Sequence, residues 1–155
     1  MPYKLFITLL ISFSLSGCAE RSISITDSKG DVVGGYIAGY DWHFYGLQDS
    51  IDYMLYKCAE DSIAKGYKIS DERLLVLDFT LPPPPEGKSW NRKLAMHHFH
   101  EGNISETKLG YILADIEYQY VLVIQSAEED LATGKVTQAE FDEITKAAKL
   151  QWLGE

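Results

Sequence analysis

Three histidines and a glutamate stand close together in the run Ala95-Met96-His97-His98-Phe99-His100-Glu101. On a helix His97 and Glu101 are one turn apart at i, i+4, and His100 at i+3 shares that face. Two imidazoles and a carboxylate so placed could converge on a zinc ion and leave its fourth position open. The H-E-x-x-H spacing of zinc hydrolases is missing, however. Exposed imidazoles in a last helical turn are also favoured by the helix macrodipole alone. The run is therefore read as a solvated helix end, and neither a metal, a cofactor nor a catalytic residue is expected. A metal-binding or metal-dependent protein using His97, His100 and Glu101 is the alternative. No G-x-S-x-G, P-loop or dinucleotide glycine pattern supplies other chemistry. Isolated carboxylates abound, but without a cleft to hold them they imply no acid–base work.

The second chemical candidate is the thiol of Cys18. Met1-Pro2-Tyr3-Lys4 carries one positive charge, and an apolar run follows from Leu5 to Leu15. That run spans about 11 residues, the size of a signal-peptide h-region and too short for the roughly 20 that cross a bilayer as a helix. It closes on Leu15-Ser16-Gly17-Cys18, which resembles the lipobox of bacterial lipoprotein signal peptides. The resemblance implies that Cys18 is the lipid attachment site and that residues 1–17 are removed. It implies an envelope location with fatty acyl chains in the membrane. In the Gram-negative members of that family an aspartate after the cysteine usually retains the protein at the inner membrane. Ala19 stands there instead, so the outer membrane, facing the periplasm, is expected.

With Cys18 lipidated, Cys58 has no disulfide partner. It falls on the apolar face of an expected helix, where a cysteine behaves as a small hydrophobe. The charge balance is acidic, with 14 Lys and Arg against 23 Asp and Glu for a net charge of −9, and loss of the signal region removes only Lys4. Such a surface does not attract nucleic acid and is repelled by anionic headgroups, so the membrane is met through the lipid alone. It would complement a basic protein partner, and it also keeps the domain soluble.

These groups must be carried by a small number of elements. Residues 18–22 form a short tether, and residues 23–155 make one domain. Ile23 and Ile25 alternate with polar residues before the turn cluster Asp27-Ser28-Lys29-Gly30, and Val32-Val33 follows, predicting a β-hairpin. The alternation continues through Tyr36, Tyr40, Trp42 and Phe44, with Asp41 and His43 opposite and a bulge expected at Gly39. Leu47, Ile51, Met54, Leu55 and Cys58 predict a helix over 47–65. Leu74–Thr80 reads as a third strand, or as a helix starting at Ser70. Pro82-Pro83-Pro84-Pro85 makes a stiff extended connector.

The second half is helical in period. Trp90, Leu94, Met96, His97 and Glu101 suit a short helix. A stripe from Leu109 through Ile112, Leu113, Ile116, Tyr120, Val123, Ile124 and Ala127 to Leu131 suits a long one over about 105–132, and Phe141, Ile144, Ala148 and Trp152 a last one. The fold class expected is α+β: a small N-terminal antiparallel sheet, hairpin plus possible third strand, packed with a mostly helical second half.

Ile104-Ser105 with Leu109, and Val136-Thr137 with Phe141, repeat one helix-start device: a capping hydroxyl and a hydrophobic staple. Thr137 with Glu140 completes a capping box, and Ile69-Ser70 with Leu74 offers a third copy. Leu131, Gly134, Val136, Thr137, Glu140, Phe141, Lys146 and Leu150 resemble the short C-terminal (SHOCT) modules of bacterial membrane-associated proteins. That resemblance implies association with other proteins. The expected function is that of an envelope lipoprotein without enzymatic activity that binds another envelope protein, as an assembly accessory or an inhibitor. A structural envelope component is the further alternative.

Overall fold

A strand hairpin followed by four helices makes the chain an α+β protein, as its sequence pattern predicts. The computed structural model describes residues 19–40 and 45–155. Residues 1–18, with the expected signal segment and Cys18, and the stretch Asp41, Trp42, His43, Phe44 lie outside the described residues.

Strand β1 (Ala19–Thr26) pairs antiparallel with β2 (Val32–Tyr40). The turn between them is built by Asp27, whose carboxylate accepts the backbone N–H groups of Lys29 and Asp31 at 2.8 and 3.0 Å. Period-two alternation puts Ile23 and Ile25 on the core face and Ser22 and Ser24 outside. Two expectations change here. Residues 19–22 are not a free tether, because each pairs with β2. The register shift falls at Ile25/Thr26, beside the turn, whereas Gly39 pairs regularly with Glu20.

Helix α1 (Leu47–Ala64) lays Ile51, Leu55 and Ala59 on the sheet. Strand β3 is only Lys68–Ile69, on the free side of β1, so the sheet order is β2-β1-β3. Residues 70–80 are neither the expected strand nor an α-helix. Ser70 is drawn to the sheet, where its hydroxyl accepts from the Ser24 N–H at 2.9 Å. Asp71 caps instead and starts a single 3-10 turn, Glu72–Leu75. The carbonyls of Asp78 and Thr80 then accept from the Lys108 ammonium at 3.1 and 2.7 Å rather than from a strand.

Helix α2 (Arg92–His100) is capped by Asn91, whose side chain accepts from the Leu94 N–H at 2.8 Å. Helix α3 (Glu106–Ala132) is capped by Ser105, and α4 (Gln138–Leu153) by Thr137 with the full capping box to Glu140.

Two apolar clusters meet along α3. Tyr111 and Ala114 join the sheet and α1, whereas Leu109, Ile112, Leu113 and Ile116 face Ala95 and the other apolar residues of α2. Where α1 begins, its backbone touches α3: Gly46 is left-handed at φ 62°, and a Cβ on Gly110 would lie 2.5 Å from the Gly46 carbonyl. The Ser50 hydroxyl donates to the Gly110 carbonyl at 2.9 Å, and the Gly46 N–H donates to Glu106 at the same distance. Glycine inside a helix weakens it. Here it is what lets two helices approach closely enough to share those bonds.

Candidate functional site

The histidine run does not assemble. Helix α2 ends at His100, and Glu101 is its C-cap. His97 and His100 are exposed. The His98 ring stands edge-on to Trp90 with centroids 5.5 Å apart, and its Nδ1 is 3.5 Å from the Asn103 amide. His100 lies edge-on to Tyr45 at 6.4 Å. Among the described residues no three His, Cys, Asp or Glu side chains are grouped to hold a metal ion. The chemistry left to these imidazoles is their placement in the last turn, where a positive charge offsets the helix dipole.

Cys58 is half-buried on α1, and burial pushes its thiol above the ordinary value. It is a poor nucleophile, since reactivity belongs to the thiolate.

A charged cluster that the sequence pattern did not disclose sits between sheet and helix. The Asp52 carboxylate, with a side chain 5% exposed, accepts from the guanidinium of Arg21 on β1 and from Arg73 at 2.6 and 3.0 Å. Arg21 also reaches Asp71 at 2.9 Å. Four charges from three segments thus tie β1, α1 and the 3-10 turn together. No spacing rule could have found them, because nothing local links positions 21 and 52 to each other or to the capped turn that carries 71 and 73. Every charge in the cluster is answered by another, so it reads as a clamp. A neighbouring polar contact does similar work: the Tyr53 hydroxyl donates to Asp115 at 2.7 Å, joining α1 to α3. Burial first, and that carboxylate second, push the phenol's pKa well up.

The C-terminal hairpin differs. Helix α4 contains no buried residue. Its expected apolar face is only half-covered at Phe141, Ala148 and Trp152 and exposed at Ile144, so the helix is present but its core is not. Its main anchor is Trp152, stacked on Tyr120 at 5.4 Å and 19° and packed against the α2–α3 cluster, with the Arg92 guanidinium 5.9 Å from its ring centroid. Beside it the Glu117 carboxyl is pushed up by burial, against the opposing influence of Arg92 and of the Trp152 indole.

A cleft of about 300 Å³ separates this end of α4 from α3 and the proline connector, lined by Trp90, Ile116, Tyr120, Val123, Trp152 and neighbouring polar side chains. The Trp90 indole donates to the Pro82 carbonyl at 2.9 Å and fixes that wall. Further along α3, Val121, Leu122 and Val123 are all exposed, as are Ile144 and Leu150 on α4. Three consecutive helical residues sweep an arc of about 200°, so the solvent side of α3 is apolar as well as the side toward α4. The tip carries Glu128, Glu129, Asp130, Glu140, Asp142 and Glu143, with Lys135 as its one cation, held by Asp130 at 2.8 Å.

This arrangement offers an apolar surface with acids gathered at the hairpin tip and Lys146 and Lys149 exposed farther along α4; no nucleophile is paired with a base there. The shape of such a surface is that of a contact face. No protein family, no curated protein and no solved structure matches this chain.

Proposed function

We propose that this protein is a lipid-anchored envelope protein without enzymatic activity that works by binding another, basic envelope protein through its C-terminal helical hairpin. One observation carries the reading: α4 buries none of its residues, while the adjoining stretch of α3 presents Val121, Leu122 and Val123 to solvent. Apolar surface kept outside a core of this quality is what a partner covers. The acidic tip gives the partner its sign, and paired charges at an interface rim speed encounter and select against wrong partners.

The anchor rests on Leu15-Ser16-Gly17-Cys18 and on nothing in the fold. No helix among the described residues is long and apolar enough to cross a membrane. With β1 paired from Ala19 onward, a lipid on Cys18 would hold the sheet against the headgroups. The hairpin is reached only through α1, α2 and their connections. Ala19 after the lipid site supports an outer-membrane address.

The test uses the full chain in its cell. A photo-crosslinking residue at Leu122 should form one adduct, with a protein of net positive charge, and the yield should fall as salt rises. The same probe at Gln48, exposed on α1, should give none. Adducts that are equal at both positions, or absent from both, contradict the reading. Intact mass of the membrane fraction tests the anchor separately: a chain beginning at an acylated Cys18 is expected, and an unlipidated chain beginning at Met1 contradicts it.

A further inference from the structure

Strand β2 is the edge of its sheet. One side of it pairs with β1, and among the described residues its other side makes no backbone hydrogen bond. Proteins ordinarily blunt such an edge with a charge, a proline, a bulge or a cover, and β2 has only a bulge, at Val33 next to its turn. Val32–Tyr40 reads Val-Val-Gly-Gly-Tyr-Ile-Ala-Gly-Tyr, without a charge or a proline, in a chain of net charge −9. Its exposed side chains are apolar: Val32 is 69% exposed, Val33 56% and Ile37 69%.

We infer that β2 pairs antiparallel with β2 of a second copy, joining two three-stranded sheets into one of six strands. The side-chain sizes point to a copy of the same strand rather than to any other. In the register that sets Tyr36 opposite Tyr36, Ile37 of each copy lies across from Gly35 of the other, and Val33 across from Gly39. Ile37 and Val33 then each cover a position where the partner has no side chain, while Val32 lies across from Tyr40. Gly35 cannot fill that space itself, because a Cβ there would lie 2.6 Å from the Ile23 carbonyl. Val33 is the residue that the register shift leaves without a partner on β1, so its side chain is not committed within its own sheet. On the core face the same register brings the two half-buried Tyr36 rings side by side, a cross-strand pair that adds to sheet stability. The contact is isologous and closes on itself, which is the commonest route to a dimer. Uncharged strips meet, so the acidity of the two domains does not oppose them at the contact. This interface lies on the sheet and is independent of the hairpin partner proposed above.

The experiment uses the full chain in detergent, with no partner present. A photo-crosslinking residue at Val33 should give an adduct of twice the chain mass, and the same probe at Val76, which is 83% exposed, should not. Ile37→Lys should cut the Val33 adduct at least fivefold with an unchanged circular dichroism spectrum, because that side chain is solvated in the single chain. Val76→Lys should leave it as it was. Equal adducts from Val33 and Val76, an adduct indifferent to Ile37→Lys, or no adduct from Val33 would overturn the inference. Sedimentation of the unmodified chain adds a readout that no variant can confound: two copies per micelle are expected, and one copy at every loading overturns it.

Discussion

The two halves of α3 carry the same kind of amphipathic period and meet opposite fates. In the first half Leu109, Tyr111, Ile112, Leu113, Ala114 and Ile116 are buried, pressed between α1 on one side and α2 on the other. In the second half Ile124 and Leu131 are half-covered and Val123 is exposed, with Ala127 the one buried residue, because only α4 lies there. Periodicity states which face a helix can bury, not whether the fold supplies something to bury it against. The first half is scaffold, and the second half is the stretch that we propose a partner covers.

If that contrast holds, damage to the scaffold should cost far more than damage to the hairpin. The largest loss is expected from Asp52→Ala, which takes away the buried carboxylate and leaves Arg21 and Arg73 to share Asp71. Breaking a buried ion pair from one side costs about 3–5 kcal/mol, and the low end applies because Arg73 keeps a side-chain exposure of 49%. Urea unfolding would show it as a lowered midpoint with an unchanged slope.

Next comes Gly110→Ala. On an open helix this change stabilises by about 0.5–1 kcal/mol. Here the added carbon meets the Gly46 carbonyl at 2.5 Å, so a net loss of about 1–3 kcal/mol is expected, as for an overfilled core. A gain in stability would mean that α1 and α3 do not touch at that crossing.

The hairpin should respond more mildly. Thr137→Ala removes the cap of α4 together with its capping box, which costs about 0.5–2 kcal/mol of helix stability. Because α4 is weakly docked, the loss should appear as fraying of α4 more than as a shift of the global midpoint. Gln138→Ala loses only an exposed side-chain bond to Asp142, a matter of about 0.2–0.5 kcal/mol. Equal effects of the two on helix content would show that α4 does not start at Thr137.

The smallest effect is one of pH. Burial raises the folded-state pKa of Glu117 above its ordinary 4.5. The unfolded chain therefore gives up this proton first, and the contribution to stability falls as pH rises from the ordinary glutamate range through the raised value. Glu117→Gln should remove that slope. The variant should melt slightly higher than the parent at neutral pH and lose the advantage near about pH 4. Parallel melting curves across that window would mean that the carboxyl is solvated and the Trp152 end of α4 is looser than described.

The sequence disclosed what is local. Turn chemistry at Asp27, caps at Ser105 and Thr137, the extent of α3 and the α+β class all follow from short-range rules and are found where those rules put them. The stretch 70–80 misled because its apolar residues fit a strand, while the decisive competition was between Ser70 bonding across the sheet and Asp71 capping a turn. Whether a strand finds a neighbour is a tertiary fact. The same limit hid the Asp52 cluster and the Gly46–Gly110 contact, which join positions far apart in the chain. It also explains why the face of α4 looked like core: Phe141, Ile144, Ala148 and Trp152 have the right spacing, but nothing beyond α3 and the Trp152 cradle receives them. The histidine run has a spacing that could suit a metal, but among the described residues its side chains are not grouped to hold one.

Hydrogen exchange of the full chain, read by mass spectrometry, tests the division between scaffold and surface most directly. Amide protection reports the free energy of local opening. The account predicts that amides of 121–132 and of α4 exchange at least tenfold faster than those of 109–116 and of 51–59, as a unit that opens without the rest. Equal protection along the whole of α3 and through α4 would contradict it, because the hairpin would then be core and not a face held ready for a partner.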